Sequence, residues 1–292
     1  MKKNIILLFT IILSLVLLLP GCNAQDILSS NNNTSSTISN TNNSSQMKVH
    51  FIDVGQGDSI LIQVNDKNML IDCGPREGKD NLFNYLNKLN IKTLDYVIAT
   101  HPHADHIGNM ADIINKYDVK KFYSPKVQNS TKTYEKMIDA LKNKNLKINV
   151  IKSGTNIDLG DNTKLDVFSP NKDKYDNLNN YSPIMKLTYG KTSFLLTGDA
   201  ETLVEKEVLT NNCDVSADVI KFGHHGSSSS SSEEFISKVN PSIGIICVGK
   251  DNDYNHPHKE TLNTIKKHNI TTYRTDKDGT IVLTSDGQKI SK

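Results

Sequence analysis

The 292-residue chain has no tryptophan, only two arginines, Arg76 and Arg274, and only four cysteines. Scarce arginine leaves few planar guanidinium forks for gripping phosphates, so tight sequence-specific nucleic-acid binding is not expected. An enzyme that neutralises phosphate with metal ions remains open. The cysteines are Cys22, Cys73, Cys213 and Cys247; setting aside Cys22 in the N-terminal segment leaves an odd number, which argues against a disulfide framework, and none sits in CxxC spacing. Cys73 and Cys247 sit inside apolar runs and are expected to be buried packing residues. Charge of one sign is also missing: the 34 basic residues include Lys2 and Lys3, and the rest match the 32 acidic residues in number.

Long apolar runs are limited to one, Ile5–Leu19, broken only by Thr10 and Ser14 and preceded by Lys2 and Lys3. Its 15 residues fall short of the ~20 that a spanning helix needs, and its flanks have the form of an export signal. Leu19-Pro20-Gly21-Cys22 resembles a bacterial lipobox, which implies cleavage before Cys22 and a lipid on its thiol. Ser29–Gln46 is uncharged Ser, Asn, Thr and Gln apart from Ile38, too polar to fold against itself and expected to act as a tether. The expected organisation is a signal peptide over 1–21, a lipidated Cys22 and linker over 22–47, and one folded domain over 48–292. The lipid would hold that domain at the outer face of the cytoplasmic membrane.

Within the domain, strands are expected at Lys48–Asp53, Ser59–Val64, Met69–Asp72 and Leu94–Ala99, with a helix at Asp80–Leu89. Helices at Ile107–Lys116 and Tyr134–Lys144 alternate with strands near Lys121–Ser124 and Lys147–Ile151. A second round has strands at Lys164–Phe168, Met185–Tyr189 and Ser193–Leu196, then a helix at Glu201–Leu209 and a strand at Val219–Phe222. A helix from Glu233, opened by a Ser231/Glu234 capping box, precedes a strand at Ile243–Val248 and a helix at Glu260–His268. Closing strands fall at Thr271–Arg274 and Thr280–Leu283. Two such rounds suggest two sheets packed face to face with helices outside.

After the strand ending at Thr100 the chain reads His101-Pro102-His103-Ala104-Asp105-His106-Ile107-Gly108. Four ligand-capable side chains in six residues can converge on metal, and imidazole with carboxylate suits zinc, with manganese or iron also accepted. So many ligands in one short segment are better divided between two ions.

This segment resembles the signature of the metallo-β-lactamase superfamily, whose fold is an α/β four-layer αβ/βα sandwich. Leu70-Ile71-Asp72-Cys73-Gly74 and Leu195-Leu196-Thr197-Gly198-Asp199 resemble the family's other strand ends. Phe51-Ile52-Asp53-Val54-Gly55-Gln56-Gly57-Asp58, Gly223-His224-His225-Gly226-Ser227 and Asn255-His256-Pro257-His258 resemble the subgroup found in ComEC-type DNA-uptake proteins and surface phosphodiesterases. The resemblance implies one metal on His101 and His103, a second on Asp105, His106 and His225, and Asp199 bridging both. Asp72 would orient the metal loop. Asp53 and Asp58 are expected to organise their turn, with Asp58 behind the ligands, and Gly55 and Gly57 let the turn bend. No histidine occurs between Ile107 and Gly223, where lactamase-like members supply one, which leaves the first metal an open position or a different ligand; Asn180 is a candidate neighbour, with a plain turn residue before a strand as the favoured alternative.

If strand register continued through His224 and His225, only one could point inward; His225 is expected as ligand and His224 as a phosphate contact, with the reverse open. His256 and His258 are candidate substrate contacts or leaving-group acids, with surface roles as the alternative. His50 and His268 are expected to be structural, and Ser227–Ser232 a mobile rim without a base partner for any serine. Two divalent ions would activate water for attack on phosphorus, with Asp105 holding or taking its proton. The first expectation is therefore a membrane-tethered phosphodiesterase acting on DNA or a cell-surface polymer. A lactonase, thioesterase or β-lactamase shares the fold, and a non-catalytic adaptor in DNA uptake is the alternative of another class.

Overall fold

The computed structural model describes residues 46–292. Expectations for the signal segment, for Cys22 and for nearly all of the tether lie outside the described residues. Strands run β1 Met47–Phe51, β2 Ile60–Val64, β3 Lys67–Ile71, β4 Thr93–Ile98, β5 Asp118–Ser124, β6 Ile148–Val150 and β7 Thr163–Val167. They continue as β8 Met185–Tyr189, β9 Thr192–Leu196, β10 Val219–Lys221, β11 Ile243–Ile246, β12 Thr271–Arg274, β13 Ile281–Ser285 and β14 Ile290–Ser291. The helices are α1 Lys79–Lys88, α2 Ala104–Ile107, α3 Met110–Lys116, α4 Lys132–Asn143, α5 Thr202–Thr210, α6 Glu233–Val239, α7 Lys259–Lys267 and α8 Thr275–Asp278. Among the described residues no helix is long and apolar enough to cross a membrane.

The first sheet has eight strands in the order β14-β13-β1-β2-β3-β4-β5-β6, and the second has six, β12-β11-β10-β9-β8-β7. In each, antiparallel neighbours give way to parallel ones, at β3–β4 and at β9–β10. Alternation places Met47, Val49 and Phe51 of β1, Ile60 and Ile62 of β2, and Met69 and Ile71 of β3 on the face toward the other sheet. They meet Met185, Leu187, Phe194 and Leu196 of the second sheet in one apolar layer. On the outer face of the first sheet, Leu61, Leu70 and Val97 pack with Leu82, Leu86 and Ile113 of α1 and α3. On that of the second, Leu195 and Ile220 pack with Val204, Phe235 and Ile265 of α5, α6 and α7. This is the expected αβ/βα sandwich.

Three local expectations are corrected. The single helix foreseen over Ile107–Lys116 is two: Asn109 leaves helical geometry (φ −106, ψ 8) and donates its buried amide to the carbonyls of Cys73 and Pro75. The cap of α6 is Ser232, not Ser231; its hydroxyl accepts from Phe235 N–H, while Ser231 Oγ accepts from Gly223 N–H. Ser227–Ser232 is tied down rather than a loose rim, because the buried Glu205 carboxylate accepts the backbone N–H groups of Ser231 and Ser232. The structural readings hold: His50 Nδ1 lies 2.8 Å from the Tyr85 hydroxyl, His268 meets Glu233, and Cys73 and Cys247 are fully buried.

Phe194 is fully buried between the sheets, so Phe194→Ala should cost about 3–5 kcal/mol of stability. Leu203 on α5 is 49% exposed, and Leu203→Ala should change stability by less than about 0.5 kcal/mol. Urea unfolding followed by circular dichroism checks the contrast.

Candidate metal centre

Parallel strands deliver their carboxyl ends to one rim of the sandwich, and that is where the ligand-capable residues gather. β4 runs into Thr100 and His101, His103 precedes α2, and Asp105 and His106 lie within that short helix. The β1–β2 turn grips this segment from outside: Asp58 N–H donates to Asp105 C=O at 3.3 Å. A Cβ on Gly57 would stand 2.2 Å from that same carbonyl oxygen, so only glycine allows the approach.

Asp199, just past β9, is the hub. Its Oδ2 lies 3.2 Å from His106 Nε2, 3.5 Å from His225 Nε2, and 3.8 Å from both His101 Nε2 and His224 Nε2. Asp105 Oδ2 is 3.2 Å from His225 Nε2 and 3.9 Å from His106 Nε2. One ligand atom from each of Asp105, His106, Asp199 and His225 lies within 4.8 Å of all the others. Beside them His101 Nε2 stands 3.0 Å from His103 Nδ1. Among the buried atoms without a hydrogen-bond partner are His106 Nε2 and Asp199 Oδ1. Two imidazole nitrogens, one of them the orphaned His106 Nε2, and two carboxylates converging on one point fit a divalent cation.

Groups behind the ligands fix their orientation. Asp72, held by the Thr100 N–H and hydroxyl at 2.8 and 2.6 Å, lies 2.7 Å from His106 Nδ1. His225 Nδ1 donates to Cys247 C=O at 2.8 Å and lies 3.4 Å from Asp58 Oδ1. In both rings Nδ1–H faces an acceptor, which leaves Nε2 turned to the centre. Lys221, fully buried at the end of β10, sets its ammonium 2.6 Å from Asp58 Oδ2, 2.8 Å from Gly198 C=O and 3.7 Å from Asp199 Oδ1.

These contacts dictate protonation. Burial presses His106 and His225 toward neutrality, yet the surrounding carboxylates win: His106 is held well above the ordinary imidazole value and His225 is raised to about 10. Burial and the charge of His106 push His101 well below that value. Burial opposes ionisation of Asp105 and Asp199, but the neighbouring histidines hold both below the usual carboxylate range.

The remaining sequence candidates divide. His224 and His225 both line a cavity of about 500 Å³ together with His103, Asp105, Asp199 and His256. The argument that only one could face inward fails, because β10 stops at Lys221 and both histidines adopt left-handed geometry (φ 49 and 55). His224 Nδ1 is met by the Asn179 amide at 3.5 Å and the Ser229 hydroxyl at 3.2 Å, which leaves Nε2 toward Asp199 and the cavity. His256 is 8% exposed, and its Nδ1 has no hydrogen-bond partner. His258 Nδ1 instead accepts from Ser228 N–H, with the Ser228 hydroxyl also at 3.0 Å, so the serine segment does contact imidazole. Since His258 Nε2 donates to Tyr254 C=O, that histidine pins two loops together. Asn180 is drawn to Glu201: its Oδ1 accepts the Glu201 N–H at 3.2 Å, and its amide reaches Glu201 Oε2 at 3.5 Å. The side chain in contact with His101 on that stretch is Ser182, at 3.3 Å, which also accepts Asp199 N–H.

Sequence reasoning missed Lys221, Ser182 and Gln56. In Val219-Ile220-Lys221 the alternation sends lysine into the same layer as Val219, a charged residue at an apolar position. That was the available signal. A larger cleft of about 760 Å³ at Lys48, Gln63 and Asn65–Asn68 contains no imidazole.

The family model described as the metallo-beta-lactamase superfamily matches residues 52–250. The chain is 36% identical over 256 residues to ComE operon protein 3 of Bacillus subtilis, covering 82% of this chain and 33% of that protein. It is 28% identical over 226 residues to Recombination protein 2 of Haemophilus influenzae, covering 76% of this chain and 26% of that one. It thus spans a third or less of the length of these relatives. Among solved structures, the metallo-beta-lactamase fold protein YhfI from Bacillus subtilis superposes with a TM-score of 0.56 at 14% identity, covering 82% of this chain and 100% of that one. At that identity the likeness concerns the fold alone.

Because His106 and His225 both carry protons at neutral pH in the ion-free site, a divalent cation must displace them. Zinc binding at pH 7 should therefore release about two protons, and apparent affinity should rise roughly a hundredfold from pH 7 to pH 8. Titration calorimetry in buffers of different ionisation enthalpy measures the count. Asp72→Asn, which removes the carboxylate behind His106, should weaken zinc binding about 10–100-fold.

Proposed function

Because the chain belongs to the metallo-beta-lactamase superfamily, we propose that it is a metal-dependent hydrolase of phosphodiesters, carried at the outer face of the cytoplasmic membrane by lipid on Cys22. The observation that carries this reading is the convergence of Asp105, His106, Asp199 and His225 on one point at the cavity floor. His101 and His103, adjoining that group through Asp199, are the proposed holders of a second ion. Zinc is the metal we favour, with manganese or iron also suited to nitrogen and oxygen donors. The recombination protein among the relatives supports a phosphodiester such as DNA as substrate, with a cell-surface polymer as the other source of that linkage.

Bound divalent ions supply Lewis acidity at phosphorus and lower the pKa of a water from ~15.7 toward neutrality. The protein's own groups do the rest. Asp105 stays ionised between His106 and His225, so its carboxylate orients an attacking water by accepting a hydrogen bond. Burial keeps His224 neutral, and its Nε2–H donates toward a phosphate oxygen in the cavity. His256, lowered to about 4 chiefly by burial, is likewise neutral and offers a hydrogen bond to the departing oxygen. Cationic charge at the site stands in for arginine, of which the sequence has only two.

Purified protein loaded with zinc or manganese should hydrolyse bis-p-nitrophenyl phosphate and DNA, and chelator should abolish both. Asp199→Asn should lower kcat at least a thousandfold, about 4 kcal/mol of transition-state stabilisation. Turnover of nitrocefin or a lactone, with no phosphodiester cleavage at metal saturation, would overturn the reading. In the parent bacterium, Cys22→Ser should release the protein from the membrane fraction, and retention there would refute the lipid anchor.

A further inference from the structure

Beyond the metal ligands, the cavity has an aromatic lip. Tyr254 is 62% exposed, the most exposed large hydrophobic side chain among the described residues, yet it lines the same cavity as Asp105, Asp199 and His225. Its ring stacks on His256 at 5.6 Å between centroids and 23° between planes, and the His256 ring lies 5.4 Å from that of His224 and 6.3 Å from that of His225. One face of the tyrosine is thus backed by a buried imidazole and the ring is otherwise open.

The loop that carries it is braced. Asn252 donates its amide to the carbonyls of Gly249 and His256 and accepts the His256 N–H, and His258 holds Tyr254 C=O. Gln56, from the β1–β2 turn, accepts the Gly249 N–H on Oε1 at 3.0 Å. That bond fixes the amide so that Nε2 is the remaining donor, buried and without a partner in the wall of the cavity. A rigid open ring beside an unspent amide donor and the unpartnered His256 Nδ1 is a place built for a planar group with polar edges.

We propose that Tyr254, with Gln56 beside it, forms a stacking subsite for the nucleobase next to the scissile phosphate, so that the substrate is single-stranded nucleic acid. This rests on the phosphodiesterase reading and narrows it. Base–aromatic stacking tolerates any sequence, in keeping with a chain too poor in arginine to read one. Duplex bases are already stacked on each other and leave no free face for the ring. A quaternary ammonium would ask for a cage of several aromatic faces, and Tyr254 is the one phenol or phenyl ring lining this cavity.

The test is titration of the full chain into a single-stranded oligonucleotide containing 2-aminopurine, with chelator present so that nothing is cleaved. Wild type and Tyr254→Phe should quench the fluorescence, Tyr254→Ala should need about ten times more protein, and all three should bind an abasic oligonucleotide alike. No quenching by wild type, or equal weakening of base-bearing and abasic strands in Tyr254→Ala, would overturn the proposal. So would a Tyr254→Ala defect confined to a phosphocholine-bearing polymer, which would assign the ring to a quaternary ammonium. Hydrolysis is read separately with zinc added: quenching without any phosphodiester cleavage removes the enzymatic reading and leaves the subsite. Cleavage of bis-p-nitrophenyl phosphate without quenching does the reverse.

Discussion

One ammonium group, that of Lys221, holds the rim of the sandwich together. It projects from β10 into the layer between the sheets and is fully buried there. A charge in that position is tolerated only with close partners, and Lys221 has one on each side: Asp58 from the β1–β2 turn of the first sheet, and Gly198 and Asp199 at the end of β9 in the second. Asp58 in turn stands behind His225, its Oδ1 3.4 Å from Nδ1 of that ring. Asp199 presents Oδ1 to the lysine and Oδ2 to four imidazoles. Removing the ammonium would leave both carboxylates buried and short of a counter-charge, so it positions the metal residues without touching a substrate.

The charge balance around it explains why this rim asks for cations. Asp58, Asp72 and Asp199 are almost wholly buried and Asp105 is partly so, against one lysine. Without metal the deficit is met by protons on His106 and His225. Those protons sit on the same nitrogens that would bind an ion, since each Nδ1 is already committed to Asp72 or to Cys247 C=O. Metal and proton therefore compete for one set of atoms, and the carboxylates that raise the imidazoles also create the pull on a divalent cation.

How far the sequence announced this arrangement depends on how local each signal was. The His101–His106 segment was legible because four ligand types crowd into six residues, and the sandwich was legible because the apolar alternation in β1, β2, β3 and β9 keeps its period. Asp72 and Asp58 were reached only through resemblance, since a lone aspartate at a strand end has no periodicity to betray it. Lys221 was hidden because its burial depends on an acidic partner more than 160 positions away in the chain. Ser182 and Gln56 act through single hydrogen bonds that join distant segments, and such pairings are set by the tertiary fold. The break between α2 and α3 escaped for the same reason: Asn109 stops the helix only because Cys73 and Pro75 offer it carbonyls.

The histidine pair shows how backbone strain serves the site. Past Phe222, ordinary strand alternation would send one imidazole to the cavity and the other toward the helices packed outside the second sheet. The left-handed conformations of His224 and His225 cancel that alternation, at a cost of roughly 1–2 kcal/mol per residue. Two hydrogen bonds offset part of it: His224 N–H to Gly198 C=O at 3.1 Å and Ser227 N–H to His224 C=O at 2.8 Å. The first of these ties the histidine turn to the residue immediately before Asp199, so the hub and both imidazoles keep their spacing together. Gly226, also left-handed (φ 84), closes the turn against Pro257, where an added Cβ would stand 2.5 Å from the proline ring. That contact brings the loop bearing Tyr254 and His256 against the histidine turn, so the strained segment fixes the metal ligands and the cavity wall at once.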